Sequence, residues 1–186
     1  MIMATPKVLI LPGWQGSGHS HWQMHWVWRY AYQLVEQHDW MRPLRGDWLA
    51  RLEDVMSDLN EPVYLVAHGL SCIQVAAWAP ISAHRHKVAA AFLVAPSDVE
   101  ASHLEDVFSS WRPIELKALP FKSMLTGSPN NPDCSAARAA HFAKCWGSQY
   151  LSLGESGHLN AESILGDWPE GHALLNDLMK EKEHGH

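Results

Sequence analysis

Three short segments hold residue types that together could carry out acyl transfer. AHGLSC (67–72) stands where the apolar run PVYLVA meets the helical run IQVAAWA, with Gly69 at its centre and Ser71 two places on. SPNNPDC (128–134) contains one acidic residue, Asp133, and GHLNAES (157–163) contains His158. A hydroxyl, a carboxylate and a histidine in that chain order are the parts of a nucleophilic triad. The hydroxyl attacks a carbonyl carbon, the imidazole accepts and returns its proton, and the carboxylate fixes the imidazole tautomer. A fourth segment, PGWQGSGHSHW (12–22), has glycines at 13, 16 and 18 with no lysine after them, which fits neither a dinucleotide-binding nor a P-loop spacing. Such a loop suits an oxyanion hole, in which a backbone N–H near Trp14 joins that of Leu70 at the head of the next helix.

Each of these residues also has an ordinary use. Asp133 could cap a helix beginning near Ser135, and a loop histidine such as His158 is often only solvated. Ser71 would lie in the first turn of a helix, about 200° around the axis and ~3 Å along it from position 69, so its hydroxyl should point away from a site centred there. It could then cap or pack that turn. His19, His21 and His25 could be read as a metal cluster, but no carboxylate is near and Trp22 and Trp26 are interleaved, so a polar helix start is the expectation and no metal is assigned.

The elements that must position these loops read as alternating short apolar and amphipathic runs. KVLILP (7–12), VYLVAH (63–68), VAAAFLVAP (88–96), FKSMLTG (121–127) and QYLSLG (149–154) are strands buried on both faces. Helices are expected near 21–37, 48–59, 70–79, 101–109, 135–146 and 168–182, and MRPL (41–44) as a short edge strand. The tail KEKEHGH reads as a frayed helix end. This alternation predicts a mostly parallel sheet of about six strands with helices on both faces. Loops at the carboxyl ends of such strands converge, which singles out 13–20, 127–134 and 154–167 together with the 68–72 turn.

At 186 residues the chain is one domain, 1–186, and 47% hydrophobic against 18% charged residues places it in the globular class. No apolar run approaches the ~20 residues of a membrane span, and the start lacks a signal-peptide pattern, so a cytoplasmic location is expected. A net charge of −6 with scattered Lys and Arg argues against a nucleic-acid surface and suits a small neutral or cationic ligand. Cys72, Cys134 and Cys145 are odd in number and irregularly spaced, as for reduced thiols. Ten tryptophans should supply core and pocket walls, Trp14, Trp22 and Trp168 among them.

Taken together, PGWQGSG…HWQ…W, DWLARL, LVAH-x-L-x-C, LVAPSDVE, PFKSML…S…NPDCS and GHLNAESILGDWPEG resemble the small serine hydrolases of the YdeN-like, retinoblastoma-binding-protein-9-like family. The resemblance runs nearly the whole length. It implies a single-domain α/β-hydrolase fold with little or no lid, no cofactor, and a Ser-Asp-His triad acting on small esters or related acyl substrates. It also exposes two departures. Relatives typically read A-H-S-L-G-C at the elbow, which puts the nucleophile where this chain has Gly69 and puts Ser71 in the slot of a glycine. They typically read D-P-Y-C in the acid loop, which puts the carboxylate where this chain has Asn131, with Asp133 two residues late. Only His158 lies where the family has its triad residue.

Two functional readings follow. In one, the chain hydrolyses small esters, through Ser71 in a rearranged elbow with His158 as base and Asp133 as orienter, or only residually. In the other it is a catalytically inactive relative that binds a small acyl ligand or a partner protein in the retained pocket. Neither involves nucleic acid or a membrane.

Overall fold

The computed structural model describes residues 6–181. Six strands, β1 (Lys7–Leu11), β2 (Gln33–Leu34), β3 (Val63–His68), β4 (Val88–Val94), β5 (Lys122–Gly127) and β6 (Gln149–Ser152), form one sheet in the order β2-β1-β3-β4-β5-β6, with every neighbouring pair parallel. Five helices pack against it: α1 (Trp22–Tyr30), α2 (Arg45–Ser57), α3 (Leu70–Trp78), α4 (Ala136–Trp146) and α5 (Pro169–Lys180).

The period-two alternation of each strand divides the core. Leu9, Leu65, Ala67, Leu93 and Leu125 meet the apolar faces of α2, α3 and α4 on one side of the sheet. Ile10, Tyr64, Val66, Phe92 and Met124 meet Trp22 and Trp26 of α1 and Leu175 and Leu178 of α5 on the other. That double covering is why β1, β3, β4 and β5 read as unbroken apolar runs; β6, expected from the sequence to be buried on both faces, is instead an edge strand with Gln149, Leu151 and Ser152 exposed. Among the helices, α3 is buried at every position from Leu70 to Trp78.

Chain order reverses between β1 and β3, since β1 leads outward to β2 while β3 leads the other way to β4. A crevice opens at such a reversal, outside the carboxyl ends of the two strands. Here it receives the loop after Leu11 and the turn after His68.

Three elements differ from the expectation. The helix expected over 21–37 stops at Tyr30, where Ala31 turns left-handed (φ 53°). The next residues then pair with β1, Leu9 opposite Gln33 and Ile10 opposite Leu34, so this segment and not MRPL forms the edge strand. In place of a strand, Met41 and Arg42 donate their N–H groups to Asp39 Oδ1, at 2.9 and 3.0 Å, in a turn. The segment 101–109 is no α-helix: Leu104, Phe108 and Trp111 recur at helical spacing, but two short 3-10 turns, Ser102–Leu104 and Ser109–Trp111, seat them in the core. Residues 182–186 of the tail read as a frayed helix end lie outside the described residues. No helix among the described residues is long and apolar enough to cross a membrane.

Candidate active site

The site begins with backbone geometry. Between β3 and α3, Gly69 adopts φ 58° and ψ −122°, a conformation that a residue with a side chain holds only under strain. Its N–H donates to the Val94 carbonyl (3.0 Å), and its own carbonyl accepts from Cys72 N–H (3.1 Å) and Ser97 N–H (3.3 Å). A β-carbon added at Gly69 would stand 3.2 Å from His158 Nε2 and 3.4 Å from Ser97 Oγ. On the other flank, a β-carbon at Gly13 would come within 2.8 Å of the His68 carbonyl oxygen and 3.3 Å of Leu70 N, so only glycine lets the first loop press its backbone onto the elbow. Trp14 and Leu70 thereby line one cavity of about 340 Å³ with Gly69, Ser97, Asp133 and His158. Leu70 heads α3, and its N–H has no intrahelical acceptor.

His158 is fixed in one tautomer. Its Nδ1 lies 2.9 Å from Asn131 Oδ1, and the same oxygen accepts Asp133 N–H at 3.0 Å. A backbone N–H can only donate, so that atom of Asn131 is the amide oxygen, Nδ1 of His158 carries the hydrogen, and Nε2 presents a lone pair toward Gly69. Asp133 Oδ2 lies 3.5 Å from Nε2, on the side of the ring opposite Asn131, and Asp133 Oδ1 lies 4.0 Å from His103 Nε2. Burial raises the Asp133 carboxyl above the usual range, with His103 opposing.

Behind His158 two more imidazoles are packed edge to face. The His68 ring centroid is 4.7 Å from that of His158 and 4.8 Å from that of His21. His68 Nε2 donates to the His158 carbonyl at 2.8 Å, and His21 Nδ1 caps α1 by accepting Gln23 N–H at 3.1 Å. Burial, with a neighbouring histidine second, lowers His21 to about 2, His68 to about 3 and His158 to about 4. All three are neutral near pH 7, so His158 offers a proton acceptor there.

The other residues singled out from the sequence fall as follows. Ser71 does not reach His158: its fully buried hydroxyl donates to the Pro12 carbonyl on the far side of α3's first turn, as the 200° offset demands. The partner of His158 Nδ1 is Asn131, while Asp133 sits at the other nitrogen, and the helix cap at Ser135 is made by Ser135 itself, whose Oγ accepts Arg138 N–H (3.1 Å). Trp22 and Trp168 do not wall the cavity. They are buried in the core below it, 4.9 Å apart between ring centroids, and Trp22 Nε1 supports the His158 loop by donating to Leu159 O (2.7 Å). His25 bonds Asp167 at 2.7 Å and takes no part in the site. Ser97 was not anticipated. The signal for it was the loop after β4, LVAPSDVE, whose strand ends at the same sheet edge as the three suspect loops.

A family model, serine hydrolase, matches residues 8–177. The chain belongs to the serine hydrolase family. Its fold is similar to that of a YdeN-like hydrolase from Pectobacterium atrosepticum, at 26% identity over 95% of this chain and 91% of that one, with a TM-score of 0.84. It is also similar to the ydeN gene product of B. subtilis (16% identity, 95% of this chain and 100% of that one, TM-score 0.75). Est1E from Butyrivibrio proteoclasticus, solved with ferulic acid bound, shares the fold at 10% identity (95% and 89% covered, TM-score 0.69). No curated protein matches the sequence. Within this family's fold, the cavity is lined by His158, whose Nε2 carries a lone pair, and by Trp14 and Leu70, but holds no hydroxyl on residue 69.

Proposed function

We propose that this chain hydrolyses small esters or related acyl substrates in the cavity over Gly69, with His158 as general base and without Ser71. The observation that carries this reading is the placement of His158 Nε2, neutral and 3.2 Å from the point a β-carbon at residue 69 would occupy. The substrate's carbonyl oxygen would take the Trp14 and Leu70 N–H groups, which stabilise the negative charge that grows there as the carbon becomes tetrahedral. His158 would accept the proton of the attacking group and return it to the leaving alcohol. Asn131 holds the tautomer but cannot stabilise the imidazolium as a carboxylate would, so turnover is expected to be slow. Asp133, whose Oδ2 lies 3.5 Å from Nε2, would act as the counter-ion.

The groove that continues from the cavity, about 460 Å³, is lined by Asp133, Glu155 and Glu162 with no Lys or Arg, which supports a neutral or cationic acyl compound over an anionic one. A cytoplasmic setting belongs to the same reading and is supported by three free cysteines. Gly69 itself favours the second reading, a pocket that binds a small acyl ligand, or a partner protein, without turning it over.

Hydrolysis of short-chain p-nitrophenyl esters by the unaltered protein and by His158→Ala separates the two. Turnover that drops to the buffer rate in His158→Ala supports the hydrolase reading. Rates equal to buffer in the unaltered protein, with an ester or its acid still bound by calorimetry, would replace it with the binding reading.

A further inference from the structure

We propose that the hydroxyl nucleophile absent from the elbow is supplied by the neighbouring strand, through Ser97; this rests on the hydrolase reading above. Ser97 lies three residues beyond the end of β4, the strand paired with β3. Left-handed Ala95 (φ 46°) turns the chain there, and Ser97 N–H then bonds the Gly69 carbonyl at 3.3 Å, which fixes the residue against the elbow. The next residue is held as well: Asp98 takes a two-pronged bond from Arg138 of α4 (2.9 and 3.1 Å), and its N–H donates to the Asp133 carbonyl at 2.8 Å.

The side chain faces the chemistry. Ser97 Oγ stands within 3.4 Å, and His158 Nε2 within 3.2 Å, of the single point that a β-carbon at residue 69 would fill. Glycine at 69 leaves that point unfilled. Ser97 lines the cavity with Trp14, Leu70 and His158, is only 4% exposed, and its hydroxyl makes no hydrogen bond among the described residues. Ser71 is the opposite case, bonded to Pro12 and outside the cavity. The strand-borne hydroxyl and the base thus both border the space that a side chain at 69 would take. A hydroxyl and a base that are not hydrogen-bonded in the free protein tighten together when substrate seats the reacting group.

The reaction balances with these groups alone. Ser97 Oγ forms a bond to the carbonyl carbon as its proton passes to His158 Nε2, and the carbonyl oxygen takes the negative charge against the Trp14 and Leu70 N–H groups. Collapse breaks the bond to the leaving oxygen, which takes the proton from His158. Water then gives a proton to His158 and attacks the acyl-Ser97 ester; Ser97 Oγ leaves with that proton, and the acid is released.

The test is a fluorophosphonate probe with peptide mapping, run beside p-nitrophenyl acetate turnover, on the unaltered protein, Ser97→Ala, Ser97→Cys, Ser71→Ala and His158→Ala. The expected result is a phosphonyl adduct on the Ser97 peptide, loss of adduct and at least a hundredfold loss of turnover in Ser97→Ala, and adduct retained in Ser71→Ala. In Ser97→Cys, which preserves fold and nucleophile position, an acetyl adduct on Cys should be seen by intact mass. An adduct mapped to any other residue, or turnover in Ser97→Ala within about twofold of the unaltered protein, overturns the role of Ser97. If that turnover still vanishes in His158→Ala, the hydrolase reading stands with water as the attacking group. No turnover by the unaltered protein removes both.

Discussion

Replacing Gly69 by serine tests the site with opposite effects on stability and on rate. The backbone at 69 (φ 58°, ψ −122°) is one that a side chain adopts at about 1–3 kcal/mol. At ~2–4 °C per kcal/mol for a chain of this size, the melting temperature should fall by about 2–12 °C. The new β-carbon would stand 3.2 Å from His158 Nε2, and one bond further the hydroxyl comes within reach of the lone pair. A serine in an intact triad is worth ~10⁶ in kcat, and an asparagine in place of the acid costs ~10⁴. Built on Ser97→Ala, so that no other hydroxyl competes, Gly69→Ser should therefore raise short-chain ester turnover about a hundredfold over Ser97→Ala. With Asn131→Asp added, the gain should grow by up to ~10⁴. The assay is p-nitrophenyl ester hydrolysis, with fluorophosphonate labelling mapped to residue 69 and calorimetry on the same samples. A well-folded variant of this kind that takes no label at residue 69 and hydrolyses nothing faster than Ser97→Ala would refute the reasoning. The distance to His158 would then not describe a reactive geometry, or the Trp14 and Leu70 N–H groups would not meet a common oxygen.

Three further outcomes follow from the same distances. Ser71→Ala should leave probe labelling unchanged while lowering stability by about 1–3 kcal/mol in urea titration, because it removes a buried donor and strands the Pro12 carbonyl. Gly13→Ala should displace the first loop, since its β-carbon meets backbone at 2.8 Å, and should lower kcat/KM by ~10² or more through the shifted Trp14 N–H, measured beside the melting temperature. The histidines set the pH dependence. His21, His68 and His158 fall to about 2, 3 and 4 when folded but return to about 6.5 when unfolded, so from about pH 6.5 down to about 2 the unfolded chain binds more protons, with all three contributing between about 4 and 6.5. Stability is then complete above pH 6.5 and lost as pH falls through this window. Urea midpoints at pH 7.5, 6.0 and 5.0 should decrease in that order, while the acid limb of kcat/KM, governed by His158, lies near pH 4 rather than near 6.5.

Much of the scaffold was legible because burial on both faces leaves an unbroken apolar run. VYLVAH and VAAAFLV could hardly be anything but central strands, and the turn after His68 was placed at the end of β3, with Gly69 and a shifted Ser71 both weighed at its apex. The direction of the Ser71 hydroxyl was legible too, from helix geometry alone. What local pattern could not carry was the path of chain outside regular structure. Helical spacing of Leu104, Phe108 and Trp111 was satisfied by two 3-10 turns, which present the same anchors with a different backbone. Asn131 and Asp133 are two residues apart, yet which one meets Nδ1 of His158 depends on how the loop through Pro132 folds. The indoles of Trp22 and Trp168 were assigned to the pocket because they are large and flank the site in sequence. In space they lie one layer below it, and Trp22 supports the His158 loop through its bond to the Leu159 carbonyl.

Ser97 was missed for a related reason, and the reason bears on what the elbow does. A triad is sought along the chain as a nucleophile between strand and helix, so a glycine at that apex reads as the end of the chemistry. In space the apex is only one of several carboxyl-end positions that face His158, and the β4 loop reaches the same point from the adjacent strand. The orientation of His158 does not depend on which residue faces it. Asn131 ties down Nδ1, His68 holds the backbone carbonyl, and burial keeps the ring neutral, so Nε2 presents its lone pair to whatever hydroxyl or water stands over Gly69. On the proposed reading, glycine at 69 supplies no hydroxyl but leaves His158 at the cavity that Trp14 and Leu70 also line. Whether the chain turns over an ester is thus decided by the occupant of a space a few ångströms across, and Ser97 is the side-chain hydroxyl that lines it.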